Sequence, residues 1–204
     1  MPHTQPPTEL LDTIRNGTRF IVASHQRPDG DAIGSAMAMA LALRAMGKQA
    51  TVVTDAIPPV FLQPFPGVAG IHIAPEVTDV FDAALIMECS ELSRTGVRGL
   101  ERSPVMNIDH HPGNKGYGAL NWVDESAAAC GEMVFTLIES LGVTLTSEIA
   151  THVYLAILTD TGSFHFSHLS PRTYDIARRC VEAGADPQWI ARTHYDSNSL
   201  ARVR

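Results

Sequence analysis

Four short stretches of this 204-residue sequence each set carboxylates or imidazoles after an apolar run. SHQRPDGDAIGS carries His25, Asp29 and Asp31. ECSELSR carries Glu88, Glu91 and Arg94, DHHPGN carries Asp109, His110 and His111 in succession, and LTDTGSF carries Asp160. Mixed imidazole and carboxylate ligands suit Mn, Mg, Fe or Zn, and the lack of a paired thiolate pattern disfavours structural zinc. These are more ligands than one ion needs. Two ions sharing a bridging carboxylate would use them, and a pair about 3.5–4 Å apart can activate a water and stabilise the leaving oxygen of a phosphoester.

The elements that must carry these residues follow from the apolar pattern. Buried strands are expected at residues 20–23, 50–53, 83–87 and 105–108, with another at 119–123. Helices are expected at residues 31–46 before Gly47, 127–141 before Gly142, from Ser147 through Ile157, and 171–183 before Gly184. Ser170 is an expected N-cap with Pro171 in the first helical position, and Asp186-Pro187 repeats that pattern. Strands alternating with helices predict an α/β fold, a mostly parallel Rossmann-like sheet with helices on both faces and a helical C-terminal portion. In such a sheet ligands bind beyond the carboxyl ends of the strands, the edge to which the four stretches lead.

Each stretch also has an ordinary reading. PDGD is a common turn signal. Glu88 alone reads as a surface residue at a strand end, Asp160 as a helix end, and the two histidines as side chains satisfied by backbone groups. All of these would have to hold at one sheet edge, which makes a shared metal site the stronger expectation.

Composition bounds the function. Apolar residues make up 45% and charged residues 18%, a globular balance, and the formal charge is −7. That charge argues against a basic track for long duplex nucleic acid. A metal-bridged phosphate site remains compatible, because bound cations offset part of the charge. The N-terminus has no basic region followed by an apolar stretch, so no secretory signal is expected, and the apolar run at 36–45 is too short to span a membrane. Cys89, Cys130 and Cys180 show no CxxC spacing, which predicts reduced thiols and a cytoplasmic location.

HQRPDGDAIGS, DHHPGN and LTDTGSF together resemble the motifs of the DHH phosphoesterase superfamily, named for its Asp-His-His triplet. CSELSRTG and HYDSNSLARVR look closest to the nano-RNase (oligoribonuclease) and pAp-phosphatase branch. The resemblance covers about Phe20 to the C-terminus. It implies a DHH domain over residues 19–186, preceded by an N-terminal extension or helix at 1–18. Residues 187–204 would begin a linker helix to a C-terminal substrate domain. It further implies two divalent ions, manganese with magnesium as the alternative. His25 and Asp29 would hold one ion, with Asp31, His110 and Asp160 mainly on the other and Glu88 bridging. His111 would face the substrate phosphate and Asp109 would support the histidines. Arg94 is a candidate phosphate contact, since guanidinium pairs bidentately with phosphate; a surface salt bridge is its ordinary reading.

Two departures accompany the resemblance. The family's bridging position is normally Asp, whereas this sequence has Glu88. The family's glycine-rich GGGH segment does not occur, so the expectation is a fragment or a protein that works without the substrate domain. The expected activity is hydrolysis of short RNA or DNA oligonucleotides, or of 3′-phosphoadenosine 5′-phosphate (pAp), by metal-activated water. The alternatives are a catalytically weakened nucleotide-binding or regulatory module and an inorganic pyrophosphatase. A homodimer is compatible with all three. Alternation along an extended chain predicts opposite sides for His110 and His111. The terminal NSLARVR shows no helix stop, so the chain is expected to end inside an element.

Overall fold

The structure is a computed structural model in which residues 4–166 and 168–196 are described. The expectation for the terminal NSLARVR lies outside them. Six strands form one sheet in the order β3-β2-β1-β4-β5-β6, every pair parallel. They are β1 (Arg19–Ala23), β2 (Gln49–Thr54), β3 (His72–Ile73), β4 (Ala83–Met87), β5 (Val105–Asp109) and β6 (Leu120–Val123). The helices are α1 (Thr8–Asn16), α2 (Gly30–Ala45), α3 (Cys130–Ser140), α4 (Ser147–Asp160), α5 (Pro171–Glu182) and α6 (Pro187–Tyr195). The α/β class and the helical C-terminal portion are as the sequence predicts. The edge strand β3 is an addition: it has two exposed residues and no apolar run, and it exists through pairing with β2.

The helices do not lie on both faces of the sheet. Leu10 and Ile14 of α1, most of α2, and apolar residues of α3 to α6 share one core with Phe20, Val22, Leu85, Met87, Met106 and Ile108. The opposite face presents Ile21, Ala23, Ala84, Ile86 and Val105, covered by Val77, Cys89, Val97 and Leu100 from connecting segments. Among the described residues no α-helix joins that second core. Right-handed crossovers send the β4–β5 connection to this face. Gly96 and Gly99 there take left-handed backbone angles, so the segment forms only short 3₁₀ turns.

α2 is buried over most of its length, between the sheet and α4. A helix that is apolar nearly all round belongs in such a middle layer. Its contact with α4 depends on missing side chains. A Cβ on Gly34 would sit 2.5 Å from the His152 carbonyl oxygen, and one on Gly30 2.4 Å from Thr159 Cγ2. A Cβ on Gly131 of α3 would likewise sit 2.5 Å from Ala156 Cβ. This close seam brings the start of α2 beside the end of α4, where Asp31 and Asp160 stand.

Candidate metal centre

Strand order reverses between the neighbours β1 and β4. Open α/β sheets bind ligands beyond the carboxyl ends of the strands at such a reversal. His25 and Asp29 follow β1, Glu88 follows β4, and the Asp-His-His triplet ends β5. Asp29 caps α2, its Oδ1 accepting from the Ala32 amide at 2.9 Å, which fixes Asp31 in the first turn. Asp160 is the last residue of α4.

His110 is the hub. Its Nε2 lies 3.3 Å from Glu88 Oε1, 3.4 Å from Asp160 Oδ2 and 3.8 Å from Asp31 Oδ2. Its Nδ1 lies 3.0 Å from the Ala127 carbonyl oxygen. A carbonyl can only accept, so Nδ1 carries a proton and a neutral ring keeps its Nε2 lone pair toward the carboxylates. One ligand atom from each of Asp31, Glu88, His110 and Asp160 falls within a 4.8 Å span; Glu88, His110 and His111 form a second such group.

These residues fit a divalent cation. Glu88 is buried and its Oε2 has no hydrogen-bond partner, a lone pair with nothing to accept from. Burial and the nearby Asp31 charge push the Glu88 carboxyl up to about 8. The same two causes push Asp160 up to about 7, and burial raises Asp31. Burial opposes charge on His110, yet its bond to Glu88 and the charges of Glu88, Asp31 and Asp160 push it up to about 11. Packed carboxylates attract a positive charge to this point, and a proton on Nε2 occupies the place a cation would take.

The other expected residues lie outside this four-residue group. His25 Nε2 stands 3.9 Å from Asp29 Oδ2, a pair outside the four-residue group whose Asp29 charge reaches Asp31 and Asp160. His111 Nδ1 is 2.9 Å from Asp109 Oδ1 and 3.3 Å from Glu88 Oε1. Asp109 therefore holds His111, while the Ala127 carbonyl holds His110. Burial opposes charge on Asp109, but bonds from His111 and from Asn114 keep its carboxyl below the usual range. The Arg94 guanidinium donates to Ser90 Oγ at 3.0 Å, and its carbonyl accepts from the Gln26 amide, tying this turn to the loop after β1.

The expectation that His110 and His111 point to opposite sides is wrong. Both rings meet Glu88 Oε1, with centroids 4.9 Å apart. β5 ends at Asp109, so strand alternation stops before the histidines. Glu88 itself holds a left-handed backbone (φ 54°), uncommon for a side-chain-bearing residue and typical of sites where surrounding structure imposes strain.

Sequence reasoning missed the residues that enforce this arrangement. Buried Asn107 donates to the carbonyls of Ile86 and Cys89, on either side of the Glu88 bend, and Tyr117 donates to the same Cys89 carbonyl. The signal was available: Asn107 interrupts the apolar run of β5. Asp31 has a second duty. Its oxygens accept from Ser35 Oγ and from the Cys130 and Gly131 amides, closing an α3 N-terminus that has no side-chain cap of its own. That explains why α3 starts at Cys130 rather than Ala127. Glu132 Oε2 accepts from the Ala128 amide at 3.3 Å, holding the segment whose Ala127 carbonyl orients His110.

Known proteins share this arrangement of chain. The "Bifunctional oligoribonuclease and PAP phosphatase NrnA" of Thermus thermophilus is 40% identical over 163 residues, 80% of this chain and 49% of that protein. The Bacillus subtilis protein of the same name is 29% identical over 182 residues, 86% of this chain and 56% of its own. The chain thus spans about half the length of the curated relatives it matches. An exopolyphosphatase-related protein from Bacteroides fragilis superposes with a TM-score of 0.86 at 25% identity, covering 96% of this chain and 62% of that one. The family model "DHH family, N-terminal domain" matches residues 19–157. The chain belongs to the DHH family.

Proposed function

We propose that the protein is a metal-dependent phosphoesterase acting on short oligonucleotides or pAp. The observation that carries this reading is the convergence of Asp31, Glu88, His110 and Asp160 within 4.8 Å, with the buried Glu88 Oε2 lacking a partner. The names of the relatives in Thermus thermophilus and Bacillus subtilis support the substrate classes. These four residues would hold divalent cations, with His25 and Asp29 serving a second one, and manganese suits the mixed donors. Such ions supply water activation and charge neutralisation at phosphorus.

The chain's own residues do the rest. Asp109 accepts the Nδ1 proton of His111, which leaves Nε2 to hold a proton for the leaving oxygen. Arg94 reaches the phosphate from the turn tied to the β1 loop. Ala127 fixes the His110 tautomer. We further propose a cytoplasmic location, supported by three buried free cysteines. No helix among the described residues is long and apolar enough to cross a membrane. Homodimerisation is part of the same proposal.

The test is release of phosphate from pAp and of mononucleotides from di- to pentanucleotides, in the full-length protein with Mn or Mg. Activity supports the reading; none on any of these substrates overturns it. A second reading, a nucleotide-binding module weak in catalysis, rests on Glu88 at the usual Asp position. It requires that wild type be inactive and that Glu88→Asp switch hydrolysis on.

A further inference from the structure

We propose that a cavity beside His111 binds the ribose of the nucleotide substrate, with Glu125 accepting from its hydroxyls. The proposal rests on the phosphoesterase reading and adds a determinant of sugar specificity to it. The cavity has a volume of about 180 Å³ and is lined by His110, His111, Pro112, Glu125, Ala127 and His168. It opens directly from the two histidines of the cluster. Sites that enclose a whole small molecule usually measure ~300–1,000 Å³, so this one takes a fragment of the substrate.

The histidine side of the cavity belongs to the phosphate, and Glu125 indicates which fragment lies beside it. The substrate is a phosphoester, and Glu125 is the one carboxylate among the six lining residues. A carboxylate repels a phosphate and accepts from uncharged donors. The sugar is the uncharged group bonded directly to the phosphate, and a ribose carries a 2′-hydroxyl donor that a deoxyribose lacks. Pro112 and Ala127 offer apolar surface for the carbon face of a sugar ring, and His168 a ring nitrogen.

The cavity walls are fixed by local structure. Asp124 is buried, its Oδ1 accepts from the Ser126 amide, and its carbonyl accepts from the Ala127 amide. This turn sets Glu125 on the rim while Ala127 holds His110. Across the cavity His168 keeps a left-handed backbone (φ 68°), as do Ser163 and Phe164 earlier in the segment that leaves Asp160. Non-glycine residues in this region mark a conformation imposed by the surroundings and occur at ligand clamps.

The experiment compares kcat/KM on the dinucleotides ApA and dApdA for wild type and Glu125→Met, which keeps bulk and deletes the acceptor, in the full-length protein with Mn. Wild type is expected to favour ApA. The variant is expected to lose on the order of tenfold on ApA, the worth of a hydrogen bond to a charged group, with a smaller loss on dApdA. The ApA:dApdA ratio then falls toward one. A wild type without sugar preference overturns the proposal. So does an unchanged ratio in the variant, including one in which the preference among bases shifts instead. A wild type inactive on both dinucleotides, on longer oligonucleotides and on pAp overturns the phosphoesterase reading itself. Glu125 is exposed, and an unchanged melting temperature verifies that the variant folds.

Discussion

Gly34 of α2 packs against the main chain of His152 on α4 so closely that a Cβ there would stand 2.5 Å from the carbonyl oxygen. Gly34→Ala is expected to destabilise the metal-free protein by about 1–3 kcal/mol, the usual cost of overpacking, against a smaller gain in helix propensity. By pushing the two helices apart it also separates Asp31 from Asp160, so cation affinity falls with every ligand still present. Urea unfolding in chelator reads the first effect and a metal titration the second. Unchanged stability would show that the seam yields without cost.

Removing metal should matter for stability as well as chemistry. A cation that binds only the folded state stabilises it by about 2.7 kcal/mol at a concentration 100 times its dissociation constant. Mn is therefore expected to raise the melting temperature and chelator to reverse the rise. Glu88→Gln preserves shape but removes the carboxylate, so the metal-induced rise should shrink while the melt in chelator stays close to wild type. A variant that keeps the full rise would remove Glu88 from the ligand set.

Glu132 acts through the main chain. It accepts from Ala128, next to the Ala127 carbonyl that receives His110 Nδ1–H. Glu132→Met keeps bulk and deletes the acceptor. Cation affinity is expected to fall about 10–100-fold, the usual cost of losing support behind a ligand. Calorimetric titration with Mn measures it, and an affinity equal to wild type would count against the linkage.

His152 sets an acid limit on stability. It is fully buried, with Nε2–H donated to the Pro66 carbonyl at 2.7 Å, and burial pulls its pKa down to about 4. An unfolded histidine titrates near 6.5, so below that pH the unfolded chain binds the extra proton first. Stability is intact above about 6.5 and declines as pH falls toward 4, by about 3 kcal/mol from this residue. Other acids titrate in the same range, so the readout is the difference from His152→Gln in denaturant melts between pH 7 and 4. Parallel curves for the two proteins would rule His152 out.

The sequence revealed most where an apolar run met ionisable residues. β1, β4 and β5 and the residues at their ends could be read because burial and chemistry alternate there within a few positions. β3 could not, since two exposed residues carry no apolar signal and depend on β2 for their pairing. The start of α3 was read three residues early because its cap comes from Asp31, 99 positions away. The shared orientation of His110 and His111 arises because both lie beyond β5, which stops at Asp109, so the alternation of an extended strand does not apply to them. Glu132 carries no signal in the sequence for its role; only the folded chain shows which amide it holds. The one-sided placement of the helices follows from crossover handedness, a property of strand order that a single sequence does not state.

The four residues of the central cluster come from three different β-α or strand-end junctions and the last turn of α4, spread from position 31 to position 160. During synthesis the early strands can pair long before this set is complete. Until Asp160 has left the ribosome, Asp31, Glu88 and His110 can form only a three-sided nest. If these residues hold metal as proposed, loading is a late event in the life of a newly made molecule, and a chain truncated before α4 ends would carry most of the family's signature residues without the fourth wall of the centre.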